Sequence, residues 1–252
     1  MTGNSRRPPG PELLSFDLYN TLVVENLSTA EDARVEHLLR CLAAGRIRGD
    51  AGQVRTIVAE AHRRYQVAWA AGDFYPPATA AADVARDLCA AHRIGDQALR
   101  CSLAEAFLAC GGDVELELVS GAIPLLAAVR AAGIHTCVVC DVGLTPSERI
   151  RSFLARRGLA ELIGSVSFSD ETAVYKPAPE AFLRAWRQHP EAVGARIWHV
   201  GDMRRSDVVG AARLGAVTVR FRGVYDDTDP AHREADIVID ELDALRRLAH
   251  SP

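Results

Sequence analysis

The sequence predicts an α/β fold: a Rossmann-like parallel sheet with helices on both faces, plus an inserted all-helical domain. Three observations carry that prediction. From Leu118 onward, short apolar runs of strand length alternate with amphipathic helical stretches, the pattern of a helix-covered parallel sheet. One more run of the same kind, "LLSF" at 13–16, stands far upstream. The long interval between them carries only helical periodicity, whereas a crossover between parallel strands needs only about a dozen residues.

Taken in order, "LLSF" ends at Asp17 and has the form of a buried strand. Four amphipathic stretches follow: "STAEDARVEHLLRCLAAG", "AGQVRTIVAEAHRRYQVAWAAG", "ATAAADVARDLCAAH" and "DQALRCSLAEAFLAC". Apolar residues recur in each at helical spacing. They are an insertion, so the chain divides into a core of 1–24 and 113–252 and a small helical domain of 25–112. Beyond the insertion come the helix "IPLLAAVRAAG", the strand "HTCVVC", a helix near 146–157 and the strand "SVSF". A helix opening near Pro179, the strand "IWHV", the helix "SDVVGAARLG", the strand "AVTVRF" and "DIVI" with a closing helix complete the pattern.

Composition narrows the function classes. A chain of 252 residues with 48% hydrophobic and 25% charged residues is globular. Its net charge of -4 leaves no electrostatic footprint for nucleic acid or an anionic membrane. The polar start with "RRPPGP" is followed by no apolar segment, so neither a signal peptide nor a span is expected. Six cysteines without framework spacing fit reduced thiols in the cytoplasm. "CVVC" at 137–140 falls on an expected strand, where residues three apart face opposite sides. Cys137 therefore reads as core packing, not as half of a redox pair. Among 29 basic Lys and Arg residues, Lys176 is the only lysine.

Ligands of an open parallel sheet bind beyond the carboxyl ends of its strands. Standing there are Asp17, Cys140-Asp141, Ser169-Asp170 and Gly201-Asp202, with Asp207 one turn later and Lys176 after the third strand. An aspartate at one such place is an ordinary cap or turn residue. Several at one edge repel each other unless a cation sits among them.

Four motifs, "FDLYNTL" (16–22), "VVCD" (138–141), "YKPAPEAF" (175–182) and "GDMRRSD" (201–207), give the chain its resemblance to a known family. In order, spacing and strand context they resemble those of the haloacid dehalogenase superfamily of hydrolases and phosphotransferases. The insertion after the first motif is similar to that family's cap. The resemblance implies that Asp17 is a nucleophile forming a covalent aspartyl intermediate. It implies Mg²⁺ held by Asp17, the backbone carbonyl of Tyr19 and Asp202, with Asp207 in support. Lys176 would offset negative charge on Asp17 and on the transferring group, a task suited to a compact ammonium rather than a planar guanidinium. Substrate contacts are expected from Cys140 and from the backbone N–H groups of Asp141 and Val142. From the cap, Arg64 and Tyr65 are the expected contacts, although Tyr65 and Trp69 share a helical face of the kind that builds cap core.

Two departures from the family pattern bear on chemistry. Tyr19 stands where the family's phosphatases carry a second Asp as general acid and base, and Cys140 where they carry Ser or Thr. A Tyr at the first place is similar to the family's 2-haloacid dehalogenases, whose halide leaves without a proton. Those enzymes need no metal and have neutral residues where this chain has Asp202. The family's phosphonate-cleaving branch uses a cap lysine, and this cap has none. The expected activity is thus Mg²⁺-dependent hydrolysis of a phosphate monoester of a small metabolite. The alternatives are a metal-free carbon–halogen hydrolase and a catalytically weak binding or regulatory protein.

Overall fold

The computed structural model describes residues 10–110, 116–190 and 196–249. Six strands form its central sheet: β1 (Leu13–Phe16), β4 (His135–Cys140), β5 (Ser165–Phe168), β6 (Ile197–Gly201), β7 (Val217–Phe221) and β8 (Ile237–Ile239). Their order is β5-β4-β1-β6-β7-β8, with every neighbouring pair parallel. The chain runs outward from β1 through β4 to β5, then crosses back to β6 on the other side of β1. That reversal opens a crevice beyond the carboxyl ends of β1 and β6. Phe16 pairs with Val200 in register, and the Asp17 N–H donates to the Val200 carbonyl at 2.8 Å.

Strand alternation sorts the core into two layers. Leu14, Phe16, Val138, Cys140, Trp198 and Val200 pack in one cluster. Leu13, Cys137 and Val139 pack on the opposite face against Phe182 and Trp186 of α8 (Pro179–Trp186). Cys137 and Cys140 therefore point away from each other, and all six cysteines are free thiols.

Among the described residues, four helices stand between Glu25 and Leu116: α1 (Leu27–Ala44), α2 (Ala51–Ala71), α3 (Pro77–His92) and α4 (Gln97–Leu108). Local chemistry sets their starts, because the side chains of Asn26, Asp50 and Asp96 accept from the backbone N–H of Thr29, Gln53 and Ala98. Gly72 ends α2 at φ 80°, a conformation that favours glycine. These helices have a core of their own around Leu38, Val54, Leu88, Leu103 and Phe107.

The chain leaves the sheet and returns through a ribbon absent from the sequence expectation: β2 (Val23–Glu25) pairs antiparallel with β3 (Leu116–Leu118). Strands of three residues are too short to show a period. The expected helix "SDVVGAARLG" also differs, opening with a π-helical turn at Arg204–Val208 before α9 (Val209–Arg213). The remaining helices are α5 (Ala122–Ala131), α6 (Ser147–Arg156), the short α7 (Ser169–Thr172) and α10 (Leu242–Ala249). Among the described residues no helix is long and apolar enough to cross a membrane. The expected cap-to-core boundary at 112–113 and most of the proline-rich start lie outside the described residues.

Leu38 is fully buried among the four helices. Leu38→Ala should cost about 2–5 kcal/mol of stability, read as a lowered midpoint in urea denaturation.

Candidate active site

The carboxyl ends of β1 and β6 bring three aspartates together. One carboxylate oxygen from each of Asp17, Asp202 and Asp207 lies within 4.8 Å of the others, and all three residues are buried. Lys176, only 4% exposed, reaches in from the loop before α8. Its Nζ donates to Asp17 Oδ1 at 2.5 Å and to Asp207 Oδ1 at 2.7 Å. Its backbone N–H donates to Asp141 Oδ1 at 3.1 Å.

Asp207 is the most heavily held of the three. Besides Lys176, it accepts from His199 Nε2 at 3.2 Å, the Met203 N–H at 3.1 Å and Ser206 Oγ at 3.2 Å. His199 is itself fixed from below. Trp186 Nε1 donates to Ser15 Oγ at 2.9 Å, and Ser15 Oγ lies 2.9 Å from His199 Nδ1. Since a carboxylate only accepts, His199 carries its proton on Nε2 and Ser15 donates to Nδ1. Burial pushes the His199 pKa down, so the ring is neutral at neutral pH.

Asp207 sits in the π-helical turn, whose wider loop brings the Val208 N–H to the Met203 carbonyl at 3.2 Å. Such turns recur at functional sites. Gly201 makes room for it, because a Cβ there would fall 2.4 Å from Asp207 Cγ.

Electrostatics follow from the count of charges. Three carboxylates face one ammonium, a surplus of two negative charges in a buried place. Burial acts to raise Asp207, but Lys176 and the bond from His199 overcome it and hold the carboxyl far below the usual range. Burial acts to lower Lys176, and Asp17 and Asp207 overcome that, keeping it charged. The surplus falls on the other two: burial, opposed by Lys176, raises Asp17, while burial and the charge of Asp207 push Asp202 up to about 7. Asp202 accepts one side-chain hydrogen bond, from Asn20 Nδ2 at 3.1 Å. All-oxygen donors carrying two surplus charges fit a divalent cation. Asp17 and Asp202 are its natural ligands, with Asp207 already committed to four hydrogen bonds.

A pocket of about 210 Å³ opens above this cluster, lined by Asp17, Tyr19, Asn20, Lys176 and Asp202 from below. Arg34, His62, Tyr65 and Trp69 line it from the helical block. Trp69 overturns its reading as buried core. Its Nε1 donates to Asp141 Oδ2 at 2.9 Å, and the Arg205 guanidinium stacks 3.9 Å from the centre of its ring. Arg205 also donates to the carbonyls of Trp69 and Ala70. His62 lies 3.9 Å from Glu31, and burial nonetheless lowers its pKa.

A sequence profile of the haloacid dehalogenase-like hydrolases matches residues 11–215. The chain belongs to this family. A glyceraldehyde 3-phosphate phosphatase from Methanopyrus kandleri is 36% identical over 138 residues, 50% of this chain and 56% of that protein. Its counterpart from Pyrococcus furiosus is 34% identical over 135 residues, 52% of this chain and 53% of that protein. The chain thus spans about half the length of the curated relatives it matches. Magnesium-bound YfnB from Bacillus subtilis superposes with TM-score 0.66 at 16% identity, over 96% of this chain and 100% of that one. A 2-haloacid dehalogenase from Pseudomonas syringae pv. Tomato DC3000 gives TM-score 0.64 at 21% identity, over 94% and 96%. These two share the fold.

The motif residues of this hydrolase fold meet in one place, but three expected substrate contacts need correction. Cys140 is buried in the main core cluster and does not line the pocket, because it falls on the inward side of the β4 alternation. Arg64 faces Glu60, Asp83 and Asp87 on the helical block, which hold it outside the pocket lining. The Val142 N–H is already donated to Ser169 Oγ at 3.0 Å. Asp170 keeps the ordinary role, accepting from the Ser147 N–H at the start of α6. Ser15, Asn20, Arg34, His199 and Arg205 escaped the sequence reading. Ser15 and His199 had left a trace as the polar residues of apolar runs, and they are register partners.

Gly201→Ala should displace Asp207 and loosen Lys176, lowering the melting temperature by several degrees and activity by about tenfold or more. Ser206→Ala in the same turn removes one of four bonds to Asp207 and should do much less. Thermal melts of the two variants check the contrast.

Proposed function

We propose that this family member is a Mg²⁺-dependent phosphomonoesterase acting on a small metabolite through an aspartyl-phosphate intermediate. The observation that carries the proposal is three buried carboxylates against one ammonium, a charge surplus that carbon–halogen hydrolysis has no use for. The names of the curated relatives support the phosphate-ester class. We assign 25–112 as the cap over a core of 1–24 and 113–252, and a cytoplasmic location in keeping with six free thiols.

In this reading Asp17 attacks phosphorus opposite the leaving oxygen, the phosphorus–oxygen ester bond breaks, and water then cleaves the acyl phosphate. Lys176 keeps Asp17 aligned and offsets charge on the phosphoryl oxygens. Asp17, Asp202 and the Tyr19 carbonyl would hold Mg²⁺, with Asp207 behind them. When bound, the ion supplies Lewis-acid neutralisation of the phosphate oxygens. His62 is neutral at neutral pH, and Tyr19 is a phenol whose pKa burial raises further, so neither is a strong acid for the leaving group. That gap favours the dehalogenase alternative, since halide needs no proton, and the assay must include it.

The test is a panel of phosphate esters and 2-haloacids with Mg²⁺ or with EDTA. Phosphate release that stops in EDTA is expected, and Asp17→Asn should reduce it by about three orders of magnitude or more. Metal-indifferent halide release would transfer the assignment to the alternative. No turnover of either class would leave a binding protein.

A second prediction follows from Asp202. Its folded carboxyl holds a proton up to about pH 7, while an ordinary aspartate releases it near 3.8. Between those values the folded state binds the extra proton, so in metal-free protein rising pH works against folding across that window. A metal requires the ionised carboxylate. Saturating Mg²⁺ should therefore raise the melting temperature more at pH 8 than at pH 5.5. Equal shifts would separate Asp202 from the metal.

A further inference from the structure

We infer that Arg34 and the Tyr19 hydroxyl form a carboxylate-binding corner in the pocket, so that the preferred substrate is a short phosphate ester bearing a carboxylate at its far end. The inference rests on the phosphatase reading for the phosphate end and adds the identity of the other.

Arg34 is 3% exposed, yet it lines the pocket. Its Nη2 donates to Thr145 Oγ1 at 3.1 Å, and its guanidinium lies 5.5 Å from the centre of the Phe107 ring. Its Nε is buried with no partner. Unlike Arg64, which faces three carboxylates, it has no acidic side chain in ion-pair contact among the described residues. A buried cation held by a neutral hydroxyl and a ring has no carboxylate in direct contact.

A second orphan lies beside it. The Tyr19 hydroxyl is also buried without a hydrogen-bond partner, and Tyr19 also belongs to the pocket lining. Thr145 sits close to that hydroxyl but makes no hydrogen bond of acceptable geometry with it. Both unsatisfied donors thus border Thr145, one on the core side and one on the cap side. A carboxylate has two oxygens with lone pairs for both, and guanidinium is the side chain that matches it best. An aldehyde or hydroxyl could fill a hydrogen bond there but would leave the charge unmet. A pocket of about 210 Å³ suits a phosphate with a few carbons. Glu25 shares the lining, so an ammonium-bearing ester is the competing substrate. A structural role for Arg34, tying cap to core through Thr145, would affect all substrates alike.

One carbon skeleton at three oxidation levels separates these outcomes. With Mg²⁺, wild type should turn over 3-phosphoglycerate with kcat/KM about tenfold or more above glycerol 3-phosphate, with glyceraldehyde 3-phosphate between them. Arg34→Met should shrink that ratio to about twofold through KM, with a loss on 3-phosphoglycerate about fivefold or more greater than its loss on p-nitrophenyl phosphate. Arg34→Lys should recover part of the ratio. A flat series, a preference that survives Arg34→Met, or fastest turnover of phosphoethanolamine would overturn the inference. Nitrophenyl phosphate turnover without a carboxylate preference defeats this inference alone, whereas no turnover of any ester defeats the phosphatase reading and this one with it. If Arg34 variants fail to fold, calorimetry on Asp17→Asn protein decides. Tighter binding of 3-phosphoglycerate than of glycerol 3-phosphate is expected, and equal binding would overturn the inference.

Discussion

The ammonium of Lys176, buried between Asp17 and Asp207, is the contact on which the rest of the site depends. A charge so placed is tolerated only because its partners are in position, and removing one member of such a buried set typically costs about 3–5 kcal/mol. Those partners come from distant parts of the chain. Asp17 follows β1, Asp207 sits in the turn after β6, and the lysine precedes α8. They meet because β6 lies beside β1 in the sheet. Gly201, the π-helical turn and His199 all hold Asp207 where Nζ can reach it. Trp186 and Ser15 extend the same support to the opposite core layer.

Asp141 joins this chemistry to the helical block. One of its oxygens accepts from the Lys176 backbone and the other from the Trp69 indole. Trp69 is pressed in turn by Arg205, which lies two residues before Asp207. Tyr175, next to Lys176, exchanges hydrogen bonds with the backbone of Tyr75 in the helical block. The contacts that seat this block therefore end on residues adjacent to the acidic cluster. Lysine placement and the seating of the helices share one carboxylate.

The sheet, the four inserted helices and the acidic strand ends were legible because each has a period or a place. Apolar runs mark strands, helical spacing marks helices, and residues after strands must lie at the open edge of a parallel sheet. What failed to show needed register or orientation. Tyr65 and Trp69 share a helix face, but spacing says which residues lie together and not what that face meets; here it meets the pocket. Cys140 follows the motif order, yet strand alternation turns it into the core. His199 and Ser15 become a pair only once β1 and β6 are aligned. Arg34 is one arginine among many in a helical stretch, and its meaning comes from partners it lacks.

A chain that uses arginine everywhere but once separates two kinds of cationic work. Arg205 sends N–H groups to two adjacent carbonyls and lays its plane on an indole, which a point charge on a flexible stem does poorly. Arg34 offers a planar fork from a buried wall. Lys176 does the opposite job. Its single Nζ sits within 2.7 Å of oxygens on two different carboxylates, one of them in the turn that Gly201 makes room for. A guanidinium is broader than an ammonium and spreads its charge over three nitrogens in a fixed plane. A compact point charge suits two converging carboxylates better than a planar fork does, so geometry rather than charge sets this position apart from the other basic ones.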